Sequence, residues 1–173
     1  MNNMQWDSET NLHATEALAE LMDLELPGID IPAPKRTRYD NSHAHLVESL
    51  KRMRTDEPFL AHDIRLAFRT ARHLARASQL GDAVERDDLD DLQQVLGHRP
   101  ESWWEGDAEL ERFVLADRET GKHDETLLWL FHRRNLRVHL LLGPPGSKMI
   151  AHHPTQRFDD KVTPNTAQFG GAR

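Results

Sequence analysis

Hydrophobic residues recur along most of the chain at spacings of three and four, and no segment alternates apolar and polar residues over many positions. This spacing is typical of α-helices with one apolar face, whereas strands alternate with a period of two. It predicts helices over residues 8–24, 41–54, 58–80, 88–96, 107–119 and from 124 onwards. We therefore expect an all-α protein, a compact bundle of about five to six helices.

Residues with known capping preferences set the expected helix ends. Ser8 and Asp124 are suited to cap the first and the sixth helix, because their side chains can accept from exposed backbone N–H groups. Pro58 is tolerated in a first turn and marks the start of the third helix. Gly81 and Gly97 are expected to end the third and the fourth helix, as C-terminal glycines commonly do.

Each predicted helix carries a set of apolar residues that we expect to face the core. For the first three helices these sets are Leu18, Leu21 and Met22; Ala44, Val47, Leu50 and Met53; and Leu60, Ile64, Ala67, Phe68, Ala71, Leu74 and Ala75. The inward residues of the last three are Leu89, Leu92, Val95 and Leu96; Leu110, Phe113 and Val114; and Leu127, Leu128, Leu130 and Phe131.

The distribution of proline and glycine predicts three regions. Residues 1–40 hold the first helix and an extended proline-rich linker over 27–39, residues 41–142 form the helical domain, and residues 143–173 form an extended tail that is flexible or wraps a partner. Residues 136–142 are apolar enough for either a helix or a short strand. No apolar run reaches the length of a membrane span and the N-terminus lacks a secretion signal, so we expect a soluble cytoplasmic protein without a membrane partner.

The net charge of −7 conceals a strong segregation of charge along the sequence. Residues 42–80 hold 7 basic and 4 acidic side chains, whereas residues 81–125 hold 5 basic and 15 acidic ones. Within the third predicted helix, Arg65, Arg69, Arg72 and Arg76 follow one another at spacings of four, three and four. At 100° per residue they lie within about 60° of one another, on the side away from the apolar face. We call these four residues the arginine stripe.

The arginine stripe has three possible explanations. It is solvated or neutralised within the chain, where Asp87, Asp88, Asp90 and Asp91 follow closely. It contacts an acidic protein partner. Alternatively, it contacts a nucleic-acid backbone, because guanidinium groups bind phosphate oxygens in pairs. A further basic cluster, formed by Arg133, Arg134 and Arg137, extends the possible anion-binding surface.

Two adjacent tryptophans, Trp103 and Trp104, form the second feature that suggests a partner. Neighbouring residues on a helix diverge by about 100°, so both indoles cannot enter one core. Either one packs in the core while the other covers a loop, or they contribute to a partner-binding surface, where tryptophan is enriched.

Motifs for catalysis are weak or absent. The chain has no Cys, which excludes disulfides and thiolate metal sites, and residues 140–149 miss the spacing of a phosphate-binding loop. His62 and Asp63, with His43 or His45 upstream and Asp87 or Asp124 downstream, resemble the ligand order of HD-type metal-dependent phosphohydrolases. An adjacent His-Asp pair is expected by chance in this composition, and it occurs again at His123–Asp124.

The sequence therefore predicts a non-catalytic α-helical accessory subunit of a larger assembly. It is expected to bind a protein partner through a charged and tryptophan-containing surface, without a metal or other cofactor. The alternatives are a small helical subunit that contacts a nucleic-acid backbone in a ribonucleoprotein complex, and the HD-type phosphohydrolase.

Overall fold

The computed structural model describes residues 2–143, with side chains from Thr10 onwards, and within them it contains five α-helices and no β-strand. The helices are α1 (Asn2–Leu21), α2 (Asp40–Arg52), α3 (Pro58–Leu96), α4 (Trp103–Asp117) and α5 (Asp124–Leu142). The predicted all-α class and helical bundle are confirmed. Residues 136–142 continue α5 as a helix. The predicted tail lies outside the described residues beyond Gly143.

Helix α3 merges the third and fourth predicted helices into one helix of 39 residues. At 1.5 Å per residue it is about 58 Å long. The prediction that Gly81 ends the helix is wrong, because glycine inside a helix costs only about 1 kcal/mol and α5 packs along α3 on both sides of this position. Gly97 ends α3 as predicted, with a left-handed φ of 82°.

The starts of the helices show which capping signals were correct. Pro58 begins α3, and the Glu57 carboxylate accepts from the backbone N–H groups of the first turn. The prediction for Ser8 is wrong, because α1 begins at Asn2 and Ser8 lies inside it. Asp124 is likewise not the cap of α5, since it is already the first helical residue. Ser8 has helical residues on both sides, and Asp124 directly follows the cap residue His123.

Helix α4 begins one turn earlier than predicted. Its cap is Ser102, whose hydroxyl accepts from the Glu105 backbone N–H at 3.4 Å. Trp103 and Trp104 are therefore the first two residues of α4 rather than part of a loop. A serine three residues ahead of a glutamate is a common N-terminal signal, and it outweighs the apolar spacing that begins only at Leu110.

The hydrophobic core joins the C-terminal half of α3 to α4 and α5. Its buried residues are Leu89, Leu92, Leu110, Leu127 and Leu130, with Val95, Leu96, Phe113 and Val114 packed against them. These residues agree with the predicted inward faces of the last three helices. Because α3 packs against α2, α4 and α5, it is the central element of the bundle.

Helix α1 packs against α5 with a different face from the predicted one. Its buried residues are Leu12, Thr15 and Ala19, whereas Leu18 and Leu21 are 50% and 67% exposed. Apolar spacing alone did not reveal this face, because it includes a threonine whose hydroxyl is satisfied by donating to the Leu12 carbonyl at 2.8 Å.

The N-terminal half of α3 projects beyond α5, and α2 is the described helix that packs along it, so that these two antiparallel helices form a hairpin. No residue of α2 is buried. The predicted buried face of the third helix is therefore only partly correct. Ala71 is buried, but Leu60 and Leu74 remain about half exposed because a single short helix cannot cover the whole apolar side.

Residues 24–37, between α1 and α2, have no regular secondary structure, in agreement with the predicted linker. The linker is fastened to the body at both ends. The Gly28 carbonyl accepts from Arg133 at 2.7 Å, and the Lys35 backbone N–H donates to the Gln79 carbonyl at 3.1 Å. No helix in the described part of the chain combines the length and the apolar character required to cross a bilayer.

Candidate partner-binding surfaces

The acidic run on α3 meets the basic cluster on α5 in a network of charge-assisted hydrogen bonds. Asp88 receives Arg134 Nε at 3.0 Å and Nη2 at 2.8 Å, and it also receives Arg137 Nη1 at 3.2 Å. Asp91 receives Arg133 Nε at 2.7 Å and a second bond from Arg137. The whole Arg137 residue is 4% exposed, and its guanidinium also donates to the Asp87 carbonyl.

Arg133, Arg134 and Arg137, which were predicted to bind an anion or a partner, all belong to this network. Their positive charges are neutralised by carboxylates of the same chain, including Asp107, which is 2.8 Å from Arg134 Nη1. A role for these three residues in partner binding stays a prediction. Their observed contacts orient α5 along α3, because the paired residues are 42 to 50 positions apart in sequence.

The arginine stripe is not neutralised by the acidic run. Because α3 is continuous, Asp87 lies 11 residues and about 16 Å beyond Arg76 on the same rigid helix and cannot fold back. Asp90 instead pairs with Arg99 at the far end of α3. The expectation that these aspartates neutralise the stripe is therefore wrong for the described geometry.

Arg76 stabilises the end of α5. Its Nε donates to the Leu140 carbonyl at 2.9 Å, and a ring nitrogen of His73 lies 3.3 Å from the Leu141 carbonyl. The last carbonyls of a helix lack partners within the helix and carry a partial negative charge, so a cation placed there is favourable. The side chain of Arg76 also lies against Gly143, where a Cβ would come within 2.9 Å of it. Sequence reasoning missed this role, because no local signal connects α3 to the end of α5.

The remaining stripe residues, Arg65, Arg69 and Arg72, face solvent on the hairpin. Among the described residues, Arg65 and Arg69 have neither a hydrogen bond nor an ion pair, and both are exposed. Arg72 lies over the ring of Phe68, 5.8 Å from its centroid, in a favourable cation–π contact. We call these three arginines the cationic face of the hairpin.

A shallow groove of about 360 Å³ lies beside the cationic face, at the tip of the hairpin. Leu50, Met53, Ile64 and Phe68 contribute apolar side chains to its lining. Its charged lining residues are all cations: Lys51, Arg54 and Arg65. Such a groove suits a ligand that combines negative charge with apolar groups.

Trp103 and Trp104 are both accessible, with 52% and 64% of their surface exposed. Their rings meet edge to face with centroids 5.6 Å apart. Trp103 lines a groove of about 480 Å³ between α3, α4 and α5, together with Gly81, Val138 and Leu141. The residues of α3 that line this groove begin at Gly81, five positions beyond Arg76, which is the last residue of the arginine stripe.

The residues considered for a metal-dependent phosphohydrolase do not come together. Within residues 10–143, no group of three or more His, Asp or Glu side chains is placed to hold a metal ion. His62 and Asp63 are exposed on the hairpin, and Asp124 lies at the start of α5. The phosphohydrolase hypothesis therefore has no supporting site in the described residues.

Three carboxylates and one histidine have shifted pKa values. Hydrogen bonds from Thr37 lower the pKa of Asp40, the ammonium of Lys35 lowers that of Asp82, and the Thr120 hydroxyl lowers that of Asp117. Burial lowers the pKa of His132, against an opposing effect of Glu16. Each carboxylate secures a local turn or links two elements, so these shifts indicate structural rather than catalytic groups.

A scan against protein-family models, a search of curated proteins and a search of solved structures found no match to this chain.

Proposed function

We propose that the protein is a non-catalytic α-helical accessory subunit of a larger assembly, and that it binds an acidic partner through the cationic face. The observation that carries the proposal is the contrast between two sets of arginines. Those on α5 are neutralised by aspartates of α3, whereas Arg65 and Arg69 have no counter-charge in the described part of the chain. Unpaired like charges on one helix face repel one another, and an anionic partner removes that cost.

The groove at the hairpin tip favours a protein partner over nucleic acid. Leu50, Met53 and Phe68 present apolar surface next to the cations, and an acidic amphipathic segment would fill that surface and neutralise the charges together. Trp103 and Trp104 offer a second contact point on α4, since exposed tryptophans commonly contribute strongly to binding energy. The two contact points would engage separate parts of a partner.

The test is a charge reversal on the cationic face of the full-length chain. Arg65→Glu/Arg69→Glu is compared with Arg112→Glu/Arg118→Glu, called the α4 variant, which makes an equal charge change at exposed positions in α4 and directly after it. Native mass spectrometry of each tagged protein, isolated from its own source, measures the bound partner. We expect the wild type and the α4 variant to retain the partner, and the hairpin variant to lose at least about tenfold in affinity, a change of about 1.4 kcal/mol.

Recovery of the wild-type chain alone would contradict the accessory-subunit proposal. Equal retention by the two charge-reversed variants would keep the assembly but remove the cationic face from it. Trp104→Ala should separately weaken binding by about 1–4 kcal/mol if the tryptophans contribute a binding hot spot.

A nucleic-acid backbone is the second candidate partner, favoured by the regular spacing of three charged guanidiniums on one helix face. Phosphate contacts release counterions, so log affinity for a single strand falls with log salt by about 0.7 per contact. With three arginines we expect a slope near −2, from about 0.7 for each residue, measured by fluorescence anisotropy with a labelled oligonucleotide. Absence of binding at low salt would exclude this alternative.

A further inference from the structure

The α2–α3 hairpin has an apolar side that no described residue covers. Two sets of three residues follow one another at intervals of seven positions. The set on or next to α2 is Tyr39, Leu46 and Met53, and the set on α3 is Leu60, Ala67 and Leu74. The five large side chains are between 46% and 59% exposed, and Ala67 is exposed. Because seven residues make nearly two helical turns, each set forms one stripe along its helix.

Both stripes lie on the same side of the hairpin. On α2 the seam with α3 contains Val47 and Leu50, and the exposed stripe is rotated from it by about 80°. On α3 the seam contains Ile64 and Phe68, and its stripe is rotated by about 80° in the same sense. In an antiparallel pair, equal rotations in the same sense point to the same side. The six residues therefore form one surface, which we call the apolar face.

The cations of the hairpin lie on the opposite side. Arg65 and Arg72 are rotated from the α3 seam by about 60–80° in the other sense, and Lys51 is rotated similarly from the α2 seam. Asp63 and Thr70 are rotated from the α3 seam by about 120° and 140° in the sense of the apolar stripe, so both lie at the outer margin of the apolar face, with no lysine or arginine between the two stripes. A second molecule can therefore approach the apolar face without meeting the cationic face.

The exposed area is large enough for a stable interface. Five half-exposed large side chains leave roughly 500 Å² of apolar surface per molecule. Two such faces in contact would bury roughly 1,000 Å² from these side chains alone, close to the lower limit of stable protein interfaces before the rim is added. This area is within the range of about 300–600 Å² for the largest apolar patch of a typical monomer, and such patches often serve in binding. Although α2 packs against α3, the described part of the chain buries none of its residues completely.

We infer that the apolar face binds a second copy of this chain, so that two hairpins pack face to face about a twofold axis and form a four-helix bundle. A twofold axis brings the same patch of both molecules together, so the apolar stripes of one hairpin meet the apolar stripes of the other, and a spacing of seven is the repeat at which helices interdigitate over long distances. The cationic faces then point outwards on both sides, so like charges do not meet. The cationic face also stays accessible to a partner, and this inference is independent of the proposed function.

The first test is the mass of the full-length protein measured by light scattering after size exclusion, over a range of concentrations. The chain is 20.0 kDa, so the dimer has twice that mass. Leu60→Glu/Leu74→Glu should give a monomer, because four buried carboxylates would be placed in the bundle core. His45→Glu/His62→Glu adds two glutamates at exposed positions outside the apolar face and should remain a dimer.

A second test does not depend on the folding of the glutamate variants. The chain has no Cys, so single-cysteine variants report proximity without background. A short bismaleimide should join two copies of Ala67→Cys, in the middle of the apolar face, but not two copies of Arg69→Cys on the opposite side. A wild-type monomer at all concentrations would overturn the inference, as would a dimer that survives both glutamates, or equal cross-linking of the two cysteines.

Discussion

The sharpest prediction concerns the removal of one carboxylate from the network between α3 and α5. In Asp88→Ala, the two hydrogen bonds from Arg134 and the one from Arg137 are lost together. After this change Arg137 keeps its bonds to Asp91 and to the Asp87 carbonyl, and Arg134 keeps its contact with Asp107. Arg137 is only 4% exposed, so the Nη1 group that loses Asp88 cannot recover hydration where it stands. Removing one partner of a buried ion pair typically costs about 3–5 kcal/mol, and because both arginines keep one carboxylate we expect Asp88→Ala to fall near the lower end of this range, about 3 kcal/mol.

Removal of the buried cation from the same network should cost less. In Arg137→Met, Asp88 keeps both bonds from Arg134, and Asp91 keeps its bond from Arg133 at 2.7 Å. The remaining charges are therefore still paired, and the methionine replaces the aliphatic part of the arginine. We expect a loss of about 1–3 kcal/mol, which reflects the three hydrogen bonds of Arg137.

Urea unfolding followed by circular dichroism, at neutral pH and one fixed protein concentration, measures both free energies of unfolding. Glu119→Ala is the matched control, because Glu119 pairs with Arg118 while both side chains are at least 70% exposed. Its effect should stay below about 1 kcal/mol. Raising the salt concentration should leave the difference between Asp88→Ala and the wild type largely unchanged, because buried pairs are weakly screened.

Either of two results would contradict the role assigned to Asp88. One is a cost for Asp88→Ala within the range of the exposed control, which would mean that Arg137 is hydrated in solution. The other is a larger cost for Arg137→Met than for Asp88→Ala, which would mean that packing of the arginine stem outweighs the hydrogen bonds that Asp88 accepts.

Two further predictions concern single residues. Gly81→Ala should stabilise the protein by about 0.5–1 kcal/mol, because α3 is helical there and the new Cβ meets nothing within 4 Å. Gly106→Ala should destabilise it by about 1–3 kcal/mol, because its Cβ would lie 2.7 Å from Leu92. Changes of the same sign for both variants in thermal unfolding would contradict this. Burial lowers the pKa of His132 from its ordinary value of 6.5, so the unfolded state binds the extra proton first and stability is lost as the pH falls below that value. His132→Leu should therefore show a smaller fall in melting temperature on acidification than the wild type, and parallel curves would exclude His132 as a source of the pH dependence.

Local signals predicted the elements better than their ends. The apolar spacing placed the C-terminal part of α3, α4 and α5 within a few residues, and Pro58 and Gly97 marked two boundaries correctly. Both Gly81 and Gly97 were predicted to end a helix, but Gly81 lies inside α3. The two glycines differ because α5 packs along α3 on both sides of Gly81. This contact between distant segments cannot be predicted from neighbouring residues in the sequence.

In the candidate surfaces, too, features within one helix were predictable from the sequence, whereas contacts between helices were not. The sequence indicated that four arginines of α3 share one side, and the helix retains that arrangement. It did not indicate that Arg76 would cap α5, 64 residues away, or that Arg137 would be buried against Asp91. Both outcomes depend on which helices become neighbours.

Residues a few positions apart suffice to predict the helical class, the core faces of the last helices and the separation of basic and acidic segments. The arrangement of the helices in space sets which charges are neutralised and which apolar residues are exposed. Among the described residues, α5 covers α3 only from residue 73 onwards, so no described helix covers the apolar face of the hairpin and no described carboxylate pairs with Arg65 or Arg69.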